Sequence, residues 1–328
     1  MQQRAFRQVN VFSATPYCGN ALAVVHNAAG LSDEEMQRFA RWTNLAETTF
    51  LLAPTQQAYA AGADYRVRIF TPSYEMPFAG HPTLGSCHAW LEAGGQQAKA
   101  QLIVQECKAG LVPIRHATRV SPAHSGHRLA FAAPPLNRQT PNATLQSAFL
   151  QALGLQAHQV LGIQQLSNGP HHVGLIVDSV ETVLALAPDL NALASTLRAA
   201  DATGVGVAAR YPQAPGVALI ARSNREARAF DAELQHSTSL AHEEIEEPQA
   251  EVRFFALHDI VSEDPVTGSF NASLAQWMTD EGWAPSAYVV AQGSCIGRAG
   301  RVHVERDATA QVWIGGDAVT CIRGTVLL

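Results

Sequence analysis

RIFTPSYEMPFAGHPTLGSCHAWL, residues 68–91, has a counterpart in the other half of the chain, RFFALHDIVSEDPVTGSFNASLAQW, residues 253–277. Both run from an arginine through an apolar residue and a phenylalanine into an irregular loop. Each then reaches a glycine followed by a polar residue and an amphipathic helix. Gly80–His81 therefore matches Gly268–Ser269, and the loop of the second copy is three residues longer. A strand–loop–helix unit used twice predicts two similar α/β halves related by a pseudo-twofold axis. Their helix N-termini then point into one shared cleft. Such a terminus carries unpaired backbone N–H groups and about half a positive charge, which attract carboxylates. Glycine at its start lets a ligand approach the backbone closely. Two of them facing one cleft suit a small anion, or negative charge developing on an enolate.

Outward from this pair the pattern is mixed. RAFRQVNVF and NALAVVHN alternate as strands, and LSDEEMQRFARWTN reads as a helix. Ser32 is its N-cap, and Met36, Phe39 and Trp42 mark its apolar face. TTFLLAP and YRVRIFTP are strands ended by proline, the 81–95 helix closes at Gly94–Gly95, and AQLIVQECKAGLVPIRH is a hairpin. Residues 117–145, rich in Ser, Pro, His, Asn and Thr, read as a linker or crossover. Beyond it LQSAFLQALG, PDLNALASTLRAA and GSFNASLAQWMTDEG read as helices. HHVGLIVDS, GVGVAARY, GVALIARS and AEVRFFAL read as strands, and more strands follow from about 287 to 328.

Composition narrows the class. A chain of 328 residues exceeds what one core usually serves, which predicts two domains. With 47% hydrophobic and 15% charged residues it can bury enough apolar surface to order itself. The net charge of -6 and scattered arginines argue against nucleic acid as a partner. Five cysteines without a CxxC pair suit a reducing compartment. No run approaches the roughly 20 apolar residues of a membrane helix, and the N-terminus lacks the apolar core of a signal peptide. The expectation is a soluble, cytoplasmic protein with no membrane partner.

A proton-transfer enzyme needs a base. Glu47 in NLAETTFLL lies among apolar residues between a helix and a strand. Desolvated there it would carry a proton at neutral pH; as a surface turn acid it would not. Asp264 precedes Pro265, which keeps it in a loop, where it could serve as a second acid. Other features point away from other chemistries. GVGVAA (204–209) opens no helix and so no dinucleotide site. HSGH (His124, His127) and His171–His172 lack companions at metal-ligand spacing and read as loop histidines. AHEEIEEPQAE (241–251) reads as a solvated acidic loop. No GxSxG elbow occurs.

The chain resembles the PhzF family, the phenazine-biosynthesis-like isomerases. QVNVFSATPYCGNALAVV, NLAETTFLL, RIFTPSYEMPFAGHPTLG, EDPVTGSFNASL and QGSCIGRAGRVHV carry the resemblance across almost the whole chain. It implies a diaminopimelate-epimerase-like α/β (α+β) fold of two pseudo-symmetric domains, each a curled mixed sheet around a central helix. The domains would cover 1–118, completed by a last strand at about 318–328, and 119–317. The resemblance further implies a homodimer and cofactor-free, metal-free acid/base chemistry in the interdomain cleft. By position the catalytic glutamate falls on Glu47, the first-motif histidine on His81, and the second-motif aspartate and serine on Asp264 and Ser269. Gly80, Thr267 and Gly268 would bind substrate. GSAN of the family is GSFN here, so Phe270, near the second helix start, could narrow or reshape the pocket, and its effect stays open at this point. The related epimerases have cysteines where this chain has His81 and Ser269, which argues against two-thiol racemisation. Their Cys-Gly-Asn occurs here only as Cys18–Asn20 on the first hairpin, a placement that reads as coincidence.

The expected function is a cofactor-independent isomerase shifting a proton on a small carboxylated substrate. A lyase or dehydratase using the same base is the alternative, as is a catalytically silent anion-binding protein.

Overall fold

The computed structural model describes residues 1–99, 102–116, 128–212, 247–257 and 261–328. The 118/119 domain boundary, the GVALIARS strand, His124, His127 and residues 241–246 of the acidic stretch lie outside the described residues.

The first half is a closed sheet. It contains β1 (Gln3–Val11), β2 (Asn20–Val25), β3 (Glu47–Leu52), β4 (Tyr65–Phe70), the short β5 (Glu75–Met76), β6 (Leu102–Cys107), β7 (Gly110–His116) and β8 (Arg128–Ala132). Neighbours pair in the order β1–β2–β3–β4–β6–β7–β8, with β2/β3 and β4/β6 parallel. The 16-residue strand at Val312–Leu327 closes the ring. Its first part pairs with β8 (Trp313↔Ala132) and its second with β1 (Leu327↔Gln3). Inside lies the helix Gly80–Glu92, here the first central helix, whose residues from Gly80 to Ala89 are all buried. A helix enclosed by sheet has no solvent face, and here even the polar His81, Thr83, Ser86 and His88 are buried, so the two-faced pattern expected from sequence is absent.

The second half repeats the first. Its strands are β9 (Asn137–Gln139), β10 (Val160–Ser167), β11 (His171–Val177), β12 (Gly204–Arg210), β13 (Ala250–Leu257), β14 (Val261–Asp264), β15 (Ala287–Gln292), β16 (Gly300–Arg306) and the shared β17 (Val312–Leu327). They pair as β9–β10–β11–β12–β13–β15–β16–β17, again with the parallel pairs β11/β12 and β13/β15. The second central helix, Gly268–Asp280, runs within this curl.

The duplication holds residue by residue. Thr48 faces Phe70 as Val205 faces Phe255, and Ile69 faces Met76 as Phe254 faces Asp264. Arg68 binds Glu75 at 2.7 Å, and Arg253 binds Glu263 at the same 2.7 Å. Each guanidinium also stands 5.1 Å from the phenylalanine ring two residues on. These paired contacts fix the loop leading to each central helix, which is why the motif needs its leading arginine.

Four local expectations change. The Ser/Pro-rich segment holds β8, a strand whose apolar Leu129, Ala130 and Phe131 fill the closed sheet. Trp42 follows the apolar spacing of its helix, yet it is 80% exposed and stacks on Phe39. The helix itself forms as read, with a reciprocal Ser32–Glu35 capping box. Glu251 belongs to no solvated loop: it is buried in β13 and accepts hydrogen bonds from Tyr211 and Ser294. His171 and His172 open β11, as the strand reading of HHVGLIVDS has it, so the reading of this pair as loop histidines falls.

Candidate active site

The two central helices meet at their N-termini. A β-carbon on Gly80 would lie 2.9 Å from Gly268 Cα, and one on Gly268 would lie 3.1 Å from Gly80 Cα. Backbone touches backbone here, so both positions must be glycine. Neither N-cap residue, Ala79 or Thr267, caps its helix with a side chain. The first-turn N–H groups therefore remain as donors, and Pro82 has none to waste in its turn.

Around this crossing a narrow cleft of about 60 Å³ is lined by Glu47, Gly80, His81, Asp264, Thr267, Gly268 and Ser269, together with Tyr74, Pro170, His172, Thr203 and Phe254. All seven residues singled out from the sequence thus border one cavity. Glu47 is the first residue of β3, delivered there after Asn44 ends the preceding helix in the left-handed conformation. The strand start turns its side chain inward, where it is 8% exposed.

Glu47 Oε2 lies 3.2 Å from His81 Nε2, and both atoms are buried without a hydrogen-bond partner in the protein. Asp264 is well held: Thr267 Oγ1 donates to Oδ2 at 2.5 Å and Asn20 Nδ2 to Oδ1 at 3.0 Å. Asn20 also reaches the Val266 carbonyl at 3.0 Å and stands 3.4 Å from His81 Nδ1. Gln292 buttresses the second helix start. It accepts from Thr267 N and Asn271 Nδ2 and donates to Thr267 Oγ1 and the Asp264 carbonyl. Asn168 Nδ2 donates to the Ser269 carbonyl at 2.9 Å.

Burial sets the protonation states. Desolvation, with the charge of Asp264 adding to it, pushes the Glu47 carboxyl up to about 8. Asp264 rises to about 6 through burial, against the pull of its Thr267 and Asn20 hydrogen bonds. His81 falls to about 3, chiefly by burial, and a hydrogen bond with the Ala21 backbone opposes the fall. At neutral pH Glu47 is mostly protonated, His81 neutral and Asp264 ionised. The 3.2 Å contact is accordingly between neutral groups, and the cleft carries one negative charge.

Sequence reading missed Asn20, Gln292 and His172. Asn20 sits in the CGN stretch set aside as coincidence, and Gln292 opens the QGSCIGRAG stretch quoted for the resemblance. Phe270 corrects another expectation. It is fully buried and packs into the second half against Gly206, Gly174 and His172, so it does not line the cleft. Among the described residues no group of three or more His, Cys, Asp or Glu gathers to hold a metal ion, and no helix is long and apolar enough to cross a membrane.

Two helix-centred halves joined at glycines around a buried carboxylate define a class, the diaminopimelate- and proline-epimerase-like α/β proteins. Fold comparison agrees: a protein described as a probable proline racemase, from Agrobacterium radiobacter, superposes with a TM-score of 0.56 at 13% identity, covering 99% of this chain and 93% of its own. A PhzF-family phenazine biosynthesis protein from Bacillus anthracis superposes with a TM-score of 0.75 at 24% identity, with full coverage of both chains.

Within that class the model for phenazine biosynthesis-like proteins (PhzC-PhzF) matches residues 9–324. The chain belongs to that family and is an isomerase of its kind. Antisense-enhancing sequence 1 of Schizosaccharomyces pombe is 32% identical over 99% of each chain. The trans-2,3-dihydro-3-hydroxyanthranilate isomerase of Pseudomonas aeruginosa is 36% identical over 56% of this chain and 61% of its own.

Proposed function

We propose that this isomerase shifts a proton on a small carboxylated substrate in the cleft between its two halves, without a cofactor. One observation carries the reading: a buried, readily protonated Glu47 faces an unsatisfied His81 nitrogen beside two uncapped helix N-termini. The N–H groups at Gly80–His81 and Gly268–Ser269 hold the substrate carboxylate. They also stabilise the enolate-like charge that grows as carbon loses its proton. Glu47 takes that proton and returns it at another carbon, its acidity lying near working pH as such a role needs. Neutral His81 accepts or donates one hydrogen bond at Nε2 and keeps the Glu47 carboxyl aimed. Asp264, ionised and fixed by Thr267 and Asn20, orients a substrate amine or hydroxyl.

The relative that acts on a dihydroaromatic amino acid makes amino-substituted cyclic carboxylates the first substrates to test. In D2O the wild type should place deuterium on a carbon of such a substrate, read by proton NMR. Glu47→Gln should abolish that incorporation while still binding the carboxylate. Incorporation at more than about a tenth of the wild-type rate in the variant removes Glu47 from the mechanism.

A further inference from the structure

Asp264 is ionised near neutrality in a cleft whose lining, among the described residues, holds no lysine or arginine. The other titratable groups there are Glu47, Tyr74, His81 and His172. None brings a positive charge, since burial holds both imidazoles at about 3 and the other two groups are acids. Glu263, the residue before Asp264, is tied to Arg253. Hydrogen bonds are what remain to keep the charge.

The backbone fixes the directions of those bonds. Gln292 ends β15 and is fully buried. It stands 3.1 Å from the Thr267 N–H, which can only donate, so Oε1 faces that side. Its Nε2 then lies 3.2 Å from the Asp264 carbonyl, which can only accept. The same Nε2 is 3.1 Å from Thr267 Oγ1. Gln292 therefore shows the hydroxyl a donor and no acceptor, and the Thr267 proton goes to Asp264 Oδ2, 2.5 Å away. Asn20 is set in the same way by the Val266 carbonyl and donates to Oδ1. Both carboxyl oxygens face donors, which favours the charged form.

The scaffold itself has no need of this chain of bonds. In the duplicated register Met76 stands at the place of Asp264, and Ala79 at that of Thr267. Running the parallel β4/β6 pairing on by one residue puts Cys107 at the place of Gln292. The Cys107 thiol turns away to the Gly110 carbonyl of its own hairpin. The first central helix thus starts without any of the three groups. Asp264, Thr267 and Gln292 occur together in one half and are missing together from the other, so the glutamine goes with the charge.

We propose that Gln292 is a positioning residue that acts through Thr267, aiming its hydroxyl at Asp264 so that the carboxyl stays ionised at the cleft. The use of that charge in turnover rests on the function proposed above; the ionisation itself does not.

The test needs no substrate. Carbon-13 NMR of aspartate-labelled protein, with the signal assigned by Asp264→Asn, follows the carboxyl through pH. Wild type, Gln292→Met, Thr267→Val and the double variant are compared. Gln292→Met should raise the midpoint from about 6 by about one pH unit, and Thr267→Val by about one to two. In the Thr267→Val background Gln292→Met should add nothing, because the hydroxyl it aims is gone. Wild type gives a reading that no folding defect can blur: the Gln292 side-chain amide signals should shift with the Asp264 midpoint. The proposal is overturned by an unmoved carboxyl in Gln292→Met, by an equal shift with and without the Thr267 hydroxyl, or by amide signals blind to the titration. Failure of the proposed reaction would change none of these titrations, so the two claims fail separately.

Discussion

Replacing Glu47 by glutamine should make the protein less active and more stable, and the second effect should depend on pH. The folded state holds the Glu47 proton up to about pH 8, whereas an unfolded chain releases it near the ordinary value of 4.5. Between those limits the folded protein binds more protons, so stability falls as pH rises. Each pH unit in that window costs about 1.4 kcal/mol, so the penalty is roughly 1 kcal/mol at pH 5 and roughly 5 kcal/mol at pH 9. Glutamine keeps the shape and titrates nowhere. Urea unfolding at pH 5, 7 and 9 should show the variant gaining about 4 kcal/mol on wild type across that range. Asp264 and every other titrating group are common to both proteins and largely cancel. Activity should drop by about 10²–10⁴ over the same range. A stability difference that changes by less than about 1 kcal/mol between pH 5 and 9 would falsify the buried, protonated state of Glu47.

In wild type, log kcat/KM should climb with unit slope from about pH 6, where Asp264 is ionised, to an inflection near 8, since the ionised base starts the reaction; an inflection at 4–5 in place of that near 8 would put the base elsewhere. Gly80→Ala should lower the urea midpoint, costing about 1–3 kcal/mol, because the new methyl meets Gly268 backbone that cannot turn aside; an unchanged midpoint would mean the helices can part freely. Asn20→Ala removes a hydrogen bond to an ionised carboxylate, so the Asp264 carboxyl should titrate about one pH unit above its present value of about 6. Carbon-13 NMR of labelled aspartate reads that change, and a carboxyl titrating where it did before would show that Asn20 does not hold the charge.

The duplicated motif was enough to place the two helix starts, because arginine, glycine and the apolar strand are local requirements of the unit. Arg68–Glu75 and Arg253–Glu263 show how directly those letters become contacts. What the sequence left open was burial. Nothing in NLAETTFLL distinguishes a turn acid from a desolvated one, since the difference lies first in burial by distant segments and then in the charge of Asp264. Asn20 and Gln292 were illegible for a related reason: an amide has no spacing rule, and its role appears only when its partners converge. Phe270 misled because its position beside the helix start says nothing of direction. The empty space at Gly206 and Gly174, two strands away, draws the ring inward.

The proton-carrying groups do not obey the symmetry that built the cleft. Register places Glu47 at the position of Gly204 and Asp264 at that of Met76, so each acid has a residue without charge as its structural mate. A carboxylate at both members of either pair would bring like charges into a desolvated space, where each raises the other's pKa and costs stability. The helix starts escape this conflict, because two positive ends can share one anion. Duplication can therefore supply the anion grip twice over, while the chemistry has to be one-sided. On the proposed reading Glu47 meets the substrate from the first half only, and Asp264, facing it from the second, is left to fix which way the substrate lies.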